Sequence, residues 1–325
     1  MNIFLTFDYE LFFGSDTGSV EKCMLEPTRN LLEIAKGKNV YYTFFVDVGY
    51  LIHAENIPEL TEEVALVKNQ ILEMIQLGHD VQLHIHPHWE KAKWTSNGWK
   101  FNMKNSYKLS DFDEEERTQI IRKYKRYLDN LISRETTVFR AGGWCIQPFS
   151  EVRNTFLEVG VKADSSVIPG SFLYTDNYQL DFRNAPNKSR YTFSEDVNKE
   201  DTGGEFIEFP ITSLRYSPTF FWCLYGMGKL FPSQHKMIGD GIFMSQGNRK
   251  LRSLFMYTNN HASSDGYFAK KLDAALDKSM NLGHEEMVVI GHPKGNTQYS
   301  LRKLKQFIAK NEEEHQFVAF HQILG

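Results

Sequence analysis

The residues of this chain best suited to chemistry crowd into one run, His84-Ile85-His86-Pro87-His88-Trp89. Gly78-His79-Asp80-Val81 leads into it, and Thr6-Phe7-Asp8-Tyr9-Glu10 lies far upstream. Imidazoles and carboxylates are the donors of hydrolytic zinc-type sites, which commonly use three protein ligands and keep one position for water. A separation of four places His84 and His88 on one side of the backbone whether the segment is extended or helical. His86 joins that face only if the run stays extended, and Pro87 biases His86 away from the helical region without fixing the backbone beyond it. With 11 histidines in 325 residues, about 0.4 pairs at this spacing arise by chance, so the pair needs neighbours to carry weight. Asp8 and Glu10 provide them. At the end of the apolar stretch Ile3-Phe4-Leu5-Thr6-Phe7 they share a face if the strand continues, so one can hold metal while the other takes a proton.

The elements that must position these groups alternate along the chain. Residues 3–8 predict a buried strand, 27–36 a helix and 40–46 a strand, which together make a βαβ unit. A second helix opens at Pro58, with Leu60, Val64, Val67, Ile71, Met74 and Ile75 at helical spacing and Gly78 as its stop; the histidine strand comes directly after it. Asp113 and Glu116 read as a capping box for a third helix carrying Ile120, Tyr124, Leu128 and Leu131, so that acidic cluster is a helix start rather than a metal site. Further strands are predicted at 136–140, 161–165, 206–210 and 287–292, and helices at 149–159, 267–281 and 301–311. The alternation argues for an α/β fold with a parallel sheet or barrel. Asp8, Glu10, His84, His88, Arg140 and His292 all fall at the carboxyl ends of predicted strands, where barrel enzymes place their sites. Residues 168–204 and 213–264 break the rhythm and read as insertions that shape a substrate cleft within a single domain spanning 1–325.

Composition bounds the partners. A hydrophobic content of 41% over 325 residues supports a large core, and a net charge of −4 with a pI near 6.3 gives no electrostatic footprint for nucleic acid. Cys23, Cys145 and Cys223 are odd in number and far apart, against a disulfide framework or a thiolate metal site. The start, Met1-Asn2-Ile3-Phe4-Leu5, lacks a charged signal region, and no apolar run approaches the length of a membrane span. A cytoplasmic location without a membrane span is the expectation.

The ordered motifs resemble those of the polysaccharide deacetylases, the carbohydrate esterases that share the chitooligosaccharide deacetylase (NodB-homology) domain. The resemblance implies a distorted barrel of seven or eight β/α units, (β/α)7-8. Leu5-Thr6-Phe7-Asp8 resembles the first motif, which implies Asp8 as catalytic base and Glu10 as metal ligand, although Asp8-Tyr9-Glu10 stands where the family usually has adjacent aspartates. Gly78-His79-Asp80-Val81 through His88 resembles the second and implies His84 and His88 as metal ligands. Phe139-Arg140-Ala141-Gly142-Gly143 resembles the third, whose arginine pairs with the base, and Asp164-Ser165-Ser166 matches the segment after it. Val288-Val289-Ile290-Gly291-His292 resembles the last, whose histidine protonates the leaving amine. The match covers residues 1–166 and 205–310. It implies removal of an acetyl group, N-acetyl before O-acetyl, from a sugar of a polysaccharide or glycan precursor. The implied cofactor is a divalent ion, zinc first, with cobalt, nickel or manganese able to use the same donors.

Other residues admit two readings. His86, Trp89, Trp144 and Glu208 are candidate substrate contacts; the tryptophans serve equally as core fillers, and Glu208 equally as a strand terminus. His79 reads as structural. Two further functions stay open: a different mononuclear metal hydrolase such as a cyclic amidase or phosphoesterase, and a catalytically impaired glycan-binding relative, suggested by Tyr9.

Overall fold

A computed structural model describes residues 1–244 and 249–324, so the insertion expected at 213–264 includes four positions, 245–248, outside the described residues. Contacts divide the chain into two compact units. One comprises Met1–Phe7, Leu11–Tyr42 and Ile211–Gly325; the other comprises Asp8–Glu10 and Thr43–Pro210.

The main strands in chain order are β1 (Asn2–Tyr9), β2 (Tyr42–Asp47), β3 (Asp80–Ile85), β4 (Val138–Ala141), β5 (Ala163–Asp164), β6 (Tyr191–Phe193), β7 (Phe206–Glu208), β8 (Glu286–Gly291) and β9 (Gln316–Phe317). The longer helices are α1 (Glu26–Ala35), α2 (Val48–Ala54), α3 (Thr61–Gln76), α4 (Glu114–Ile132), α5 (Ser150–Glu158), α6 (Pro218–Leu230), α7 (Leu272–Asn281) and α8 (Gln298–Asn311). In the first unit β1 pairs in parallel with β8, from Asn2↔Glu286 to Phe7↔Gly291, and β9 pairs in parallel with β1. In the second, β2, β3, β4, β5 and β7 pair successively in parallel, and β6 closes the series antiparallel to β7. Beyond its first residue β1 is buried, and β2, β3 and β4 are buried throughout; β1 and β2 are accordingly mostly apolar, whereas β3 buries Asp80, Gln82 and His84 between its apolar residues.

The helix signals correspond to physical devices. α3 buries Val64, Val67, Ile71 and Met74 on one stripe, and Gly78 ends it in the left-handed region at φ +84°, donating its N–H to Ile75. Asp113 caps α4 by accepting from the Glu116 N–H at 2.9 Å. Side chains or prolines take over from the ladder where β3 and β8 end. The Asp265 carboxylate accepts the His292 N–H at 2.7 Å, and Pro87 opens a single 3-10 turn, Pro87–Lys91, directly after His86.

The two irregular stretches contain structure that their lack of period hid. The first carries the hairpin Phe172–Tyr174 with Gln179–Asp181, together with β6. The second is bracketed by the hairpin Ser213–Tyr216 with Thr258–His261 and holds α6. α6 is apolar on every side, so it has no stripe to detect, but Ser217 caps it by accepting from the Phe220 N–H and Pro218 occupies its first turn.

Candidate metal centre and its supporting shell

Parallel register lines up the polar residues of the second unit. Asp47 on β2 stands opposite His84 on β3, which stands opposite Arg140 on β4. One strand farther Phe139 pairs with Asp164, and Asp164 with Glu208. β1 delivers Asp8 and Glu10 into the same unit. The row lies at the carboxyl ends of parallel strands, as expected for this architecture.

The His84 ring fixes the chemistry. Its Nδ1 lies 2.8 Å from the carbonyl of Arg140; a carbonyl only accepts, so Nδ1 carries the hydrogen and the neutral ring offers a lone pair at Nε2. That lone pair faces Glu10 Oε2 at 3.2 Å and Asp8 Oδ2 at 3.9 Å. Acceptors facing acceptors are stable only around positive charge, either a proton on the ring or a metal ion. In the metal-free chain burial pulls the His84 pKa down, but Asp8 and Glu10 more than offset this and raise it to about 8. His86 Nε2 approaches the same Glu10 oxygen at 2.7 Å. Ligand atoms of Glu10, His84 and His86 all lie within 4.8 Å of one another. Donors about 2.0–2.1 Å from a tetrahedral ion sit roughly 3.4 Å apart, so small adjustments would seat one.

This trio differs from the motif-based set of Glu10, His84 and His88 at one member. His86 is still extended at φ −106° and ψ 95°, so it alternates from His84 onto the same face, whereas Pro87 turns the chain before His88. His88 is buried beside them, its ring 5.2 Å from that of His86, stacked with Tyr107 at 5.8 Å and edge-on to Phe101 at 4.9 Å. Gly142 is needed beside the site: a Cβ there would come within 2.6 Å of His86 Nδ1.

Asp8 is held from the other side. Arg140, fully buried, donates from Nη1 to Asp8 Oδ1 at 2.8 Å, from Nε to the Ser165 carbonyl at 2.8 Å and from Nη2 to Ser165 Oγ at 3.0 Å, while its plane covers the Phe45 ring. Ser166 Oγ ties the shell together, accepting from the Ala141 N–H and donating to Asp164. Behind it Glu208 accepts from the Val167 N–H. Burial and the neighbouring Asp164 push Glu208 well above the usual carboxylate range.

Glu208 and Trp89, expected as substrate contacts, are both completely buried. Trp89 packs edge-on to Trp99 and Phe101 and donates from Nε1 to Asp47 Oδ2 at 2.6 Å. Trp144 lies in the left-handed region at φ +62° and is 8% exposed. Asp47, which also caps α2 through the Gly49 N–H, is a supporting residue that sequence reasoning missed. Its signal was present, a carboxylate directly after a predicted strand, the same mark that singled out Asp8.

His292 belongs to the first unit, where Asp265 grips it twice: one carboxylate oxygen accepts the backbone N–H and the other faces Nδ1, each at 2.7 Å. The ring hydrogen is thereby held at Nδ1. Asp265 was also missed; it stands just after the irregular stretch, with no motif to mark it.

By sequence, no family model and no curated protein matches the chain. By structure it is similar to a Mycobacterium smegmatis protein assigned as a polysaccharide deacetylase, at 17% identity over 99% of this chain and 88% of that one, with a TM-score of 0.52. It is similar also to PuuE allantoinase, at 14% identity, 99% and 88% coverage and a TM-score of 0.52. A third similar structure is a Pseudomonas aeruginosa PAO1 protein assigned as a polysaccharide deacetylase, at 14% identity, 99% and 89% coverage and a TM-score of 0.50. At such identities the likeness is one of fold, and the fold is the expected β/α barrel type.

Proposed function

We propose that this chain, whose fold is that of the polysaccharide deacetylases, is a divalent-metal hydrolase that removes the acetyl group from an N-acetylated amino sugar of a glycan. The observation that carries the reading is the convergence of Glu10, His84 and His86 beside an arginine-clamped Asp8. In it Glu10, His84 and His86 hold the ion, zinc foremost, with cobalt, nickel and manganese able to use the same donors. When bound, such an ion polarises a carbonyl and lowers the pKa of water.

Asp8 takes the proton of the attacking water at its carboxylate. Arg140 orients Asp8 by donating from Nη1 to its carboxylate oxygen Oδ1. Ser165 holds Arg140 in place, its carbonyl accepting from Nε and its hydroxyl oxygen from Nη2. His292, with its tautomer set by Asp265, gives a proton to the departing amine from Nε2.

A second reading, cyclic amide hydrolysis by the same groups, draws support from the similarity to an allantoinase. The test is acetate release from a panel of acetylated amino sugars and their oligomers, run beside ring opening of allantoin, with metal-loaded protein and its Asp8→Asn variant. Acetate release that disappears in the variant supports deacetylation. Ring opening without acetate release transfers the assignment to the amidase, and neither activity sinks both.

A further inference from the structure

Exposed apolar side chains are ordinary when scattered, but here they cluster. Of the 17 large hydrophobic residues exposed among the described residues, nine lie between Trp222 and Tyr257. The hairpin Ser213–Tyr216 with Thr258–His261 brings the two ends of this stretch together, since Tyr216 pairs with Thr258. On one side runs α6, apolar all round and with Lys229 as its one charged residue, yet Trp222 on it is 57% exposed. On the other lie Leu251, Phe255, Met256 and Tyr257, all more than half exposed. The two sides touch: the Trp222 indole donates to the Leu254 carbonyl, Lys250 lies 4.6 Å from the Tyr225 ring centroid and Arg215 lies 4.5 Å from that of Tyr257. A helix apolar on every side is normally covered on every side, and a contiguous apolar patch of this kind marks a docking surface.

Charge identifies what docks. Residues 213–264 contain six lysines and arginines against a single acidic residue, Asp240, in a chain whose net charge is −4. Asp240 is engaged elsewhere, accepting from the backbone and hydroxyl of Ser19. The protein thus concentrates positive charge around its exposed aromatics, which is the composition of a segment lying in a membrane interface, with rings at headgroup depth and basic groups beside anionic lipid. Length excludes a span. No helix among the described residues is long and apolar enough to cross a bilayer, and the 13 residues of α6 extend about 20 Å against a hydrocarbon core of roughly 30 Å.

We propose that the surface formed by α6 and residues 250–257 docks on an anionic lipid bilayer. This inference is independent of the reaction assigned above.

The full chain is tested by co-sedimentation with phosphatidylcholine vesicles and with vesicles that also contain phosphatidylglycerol. Binding is expected to the second, weakly if at all to the first, and to be released by salt. In the double variant Lys250→Gln, Arg252→Gln the affinity should fall about 30-fold, the equivalent of about 2 kcal/mol at about 1 kcal/mol per basic residue. Trp222→Ser with Phe255→Ser should abolish binding while the unfolding midpoint stays that of the parent. Should a variant fail to fold, the salt and lipid dependence of the parent protein decides alone. Absence from the anionic pellet, or binding that ignores both lipid charge and salt, overturns the proposal. So does a parent dimer in light scattering that Trp222→Ser converts to monomer, because the surface would then face a second copy.

Discussion

Arg140 Nη1 lies 2.8 Å from Asp8 Oδ1 across 132 positions of chain, with the two side chains 0% and 4% exposed. A charge pair this far from water depends on both partners, since removing one leaves the other buried and uncompensated. Arg140→Met is therefore expected to destabilise the protein by about 3–5 kcal/mol in urea unfolding. Arg140→Lys should restore little of it, because an ammonium cannot satisfy Asp8, the Ser165 carbonyl and Ser165 Oγ in one plane. A loss below about 1 kcal/mol, the value of a surface pair, would show that water reaches the site.

The ligand set is decided by two single substitutions. On the proposed ligand set, His86→Ala should lose most of the bound metal in elemental analysis and His88→Ala should keep it near stoichiometric, because the ligand atoms of Glu10, His84 and His86 lie within 4.8 Å of one another. The opposite result would restore the set implied by the i, i+4 histidine motif and would mean that the turn at Pro87 rearranges when the ion binds.

His292 and Asp265 are expected to act as a pair. His292→Ala should lower kcat/KM by about 10²–10⁴-fold, the usual worth of a positioned general acid, with the unfolding midpoint unchanged. Asp265→Asn keeps the shape but removes the charge that holds the ring hydrogen at Nδ1, so it should lower kcat and shift the alkaline limb of the pH–rate profile. Full activity in His292→Ala would remove it from the mechanism.

Stability should carry the mark of His79. Burial holds its pKa down at about 4, below the ordinary 6.5, so between these values the unfolded chain binds the proton and the folded chain does not. Stability is accordingly complete above pH 6.5 and declines as pH falls towards 4, by a total on the order of 3 kcal/mol. Comparing denaturant unfolding of the parent and His79→Phe across this window checks it: the slope should be shallower in the variant, and an identical slope would show that His79 titrates normally.

The sequence by itself determined the order of the strands and helices, because burial on both faces of a parallel strand leaves a short apolar run, as at β1 and β2, and burial of one stripe of a helix leaves a periodic trace, as at α3 and α4. It also determined the candidate chemistry at Asp8, Glu10, His84, Arg140 and His292, whose types and positions after strands need no partner to be noticed. Only the tertiary structure decided which of these meet. That His86 faces Glu10 beside His84 depended on the chain staying extended as far as His86, a matter of backbone conformation on which spacing is silent. The roles of Asp47, Glu208 and Asp265 depended on cross-strand register and on contacts between residues distant in the chain, to which no local pattern points. α6 escaped for the converse reason: a helix apolar all round has no period, and only its exposure in the fold reveals that something remains to cover it.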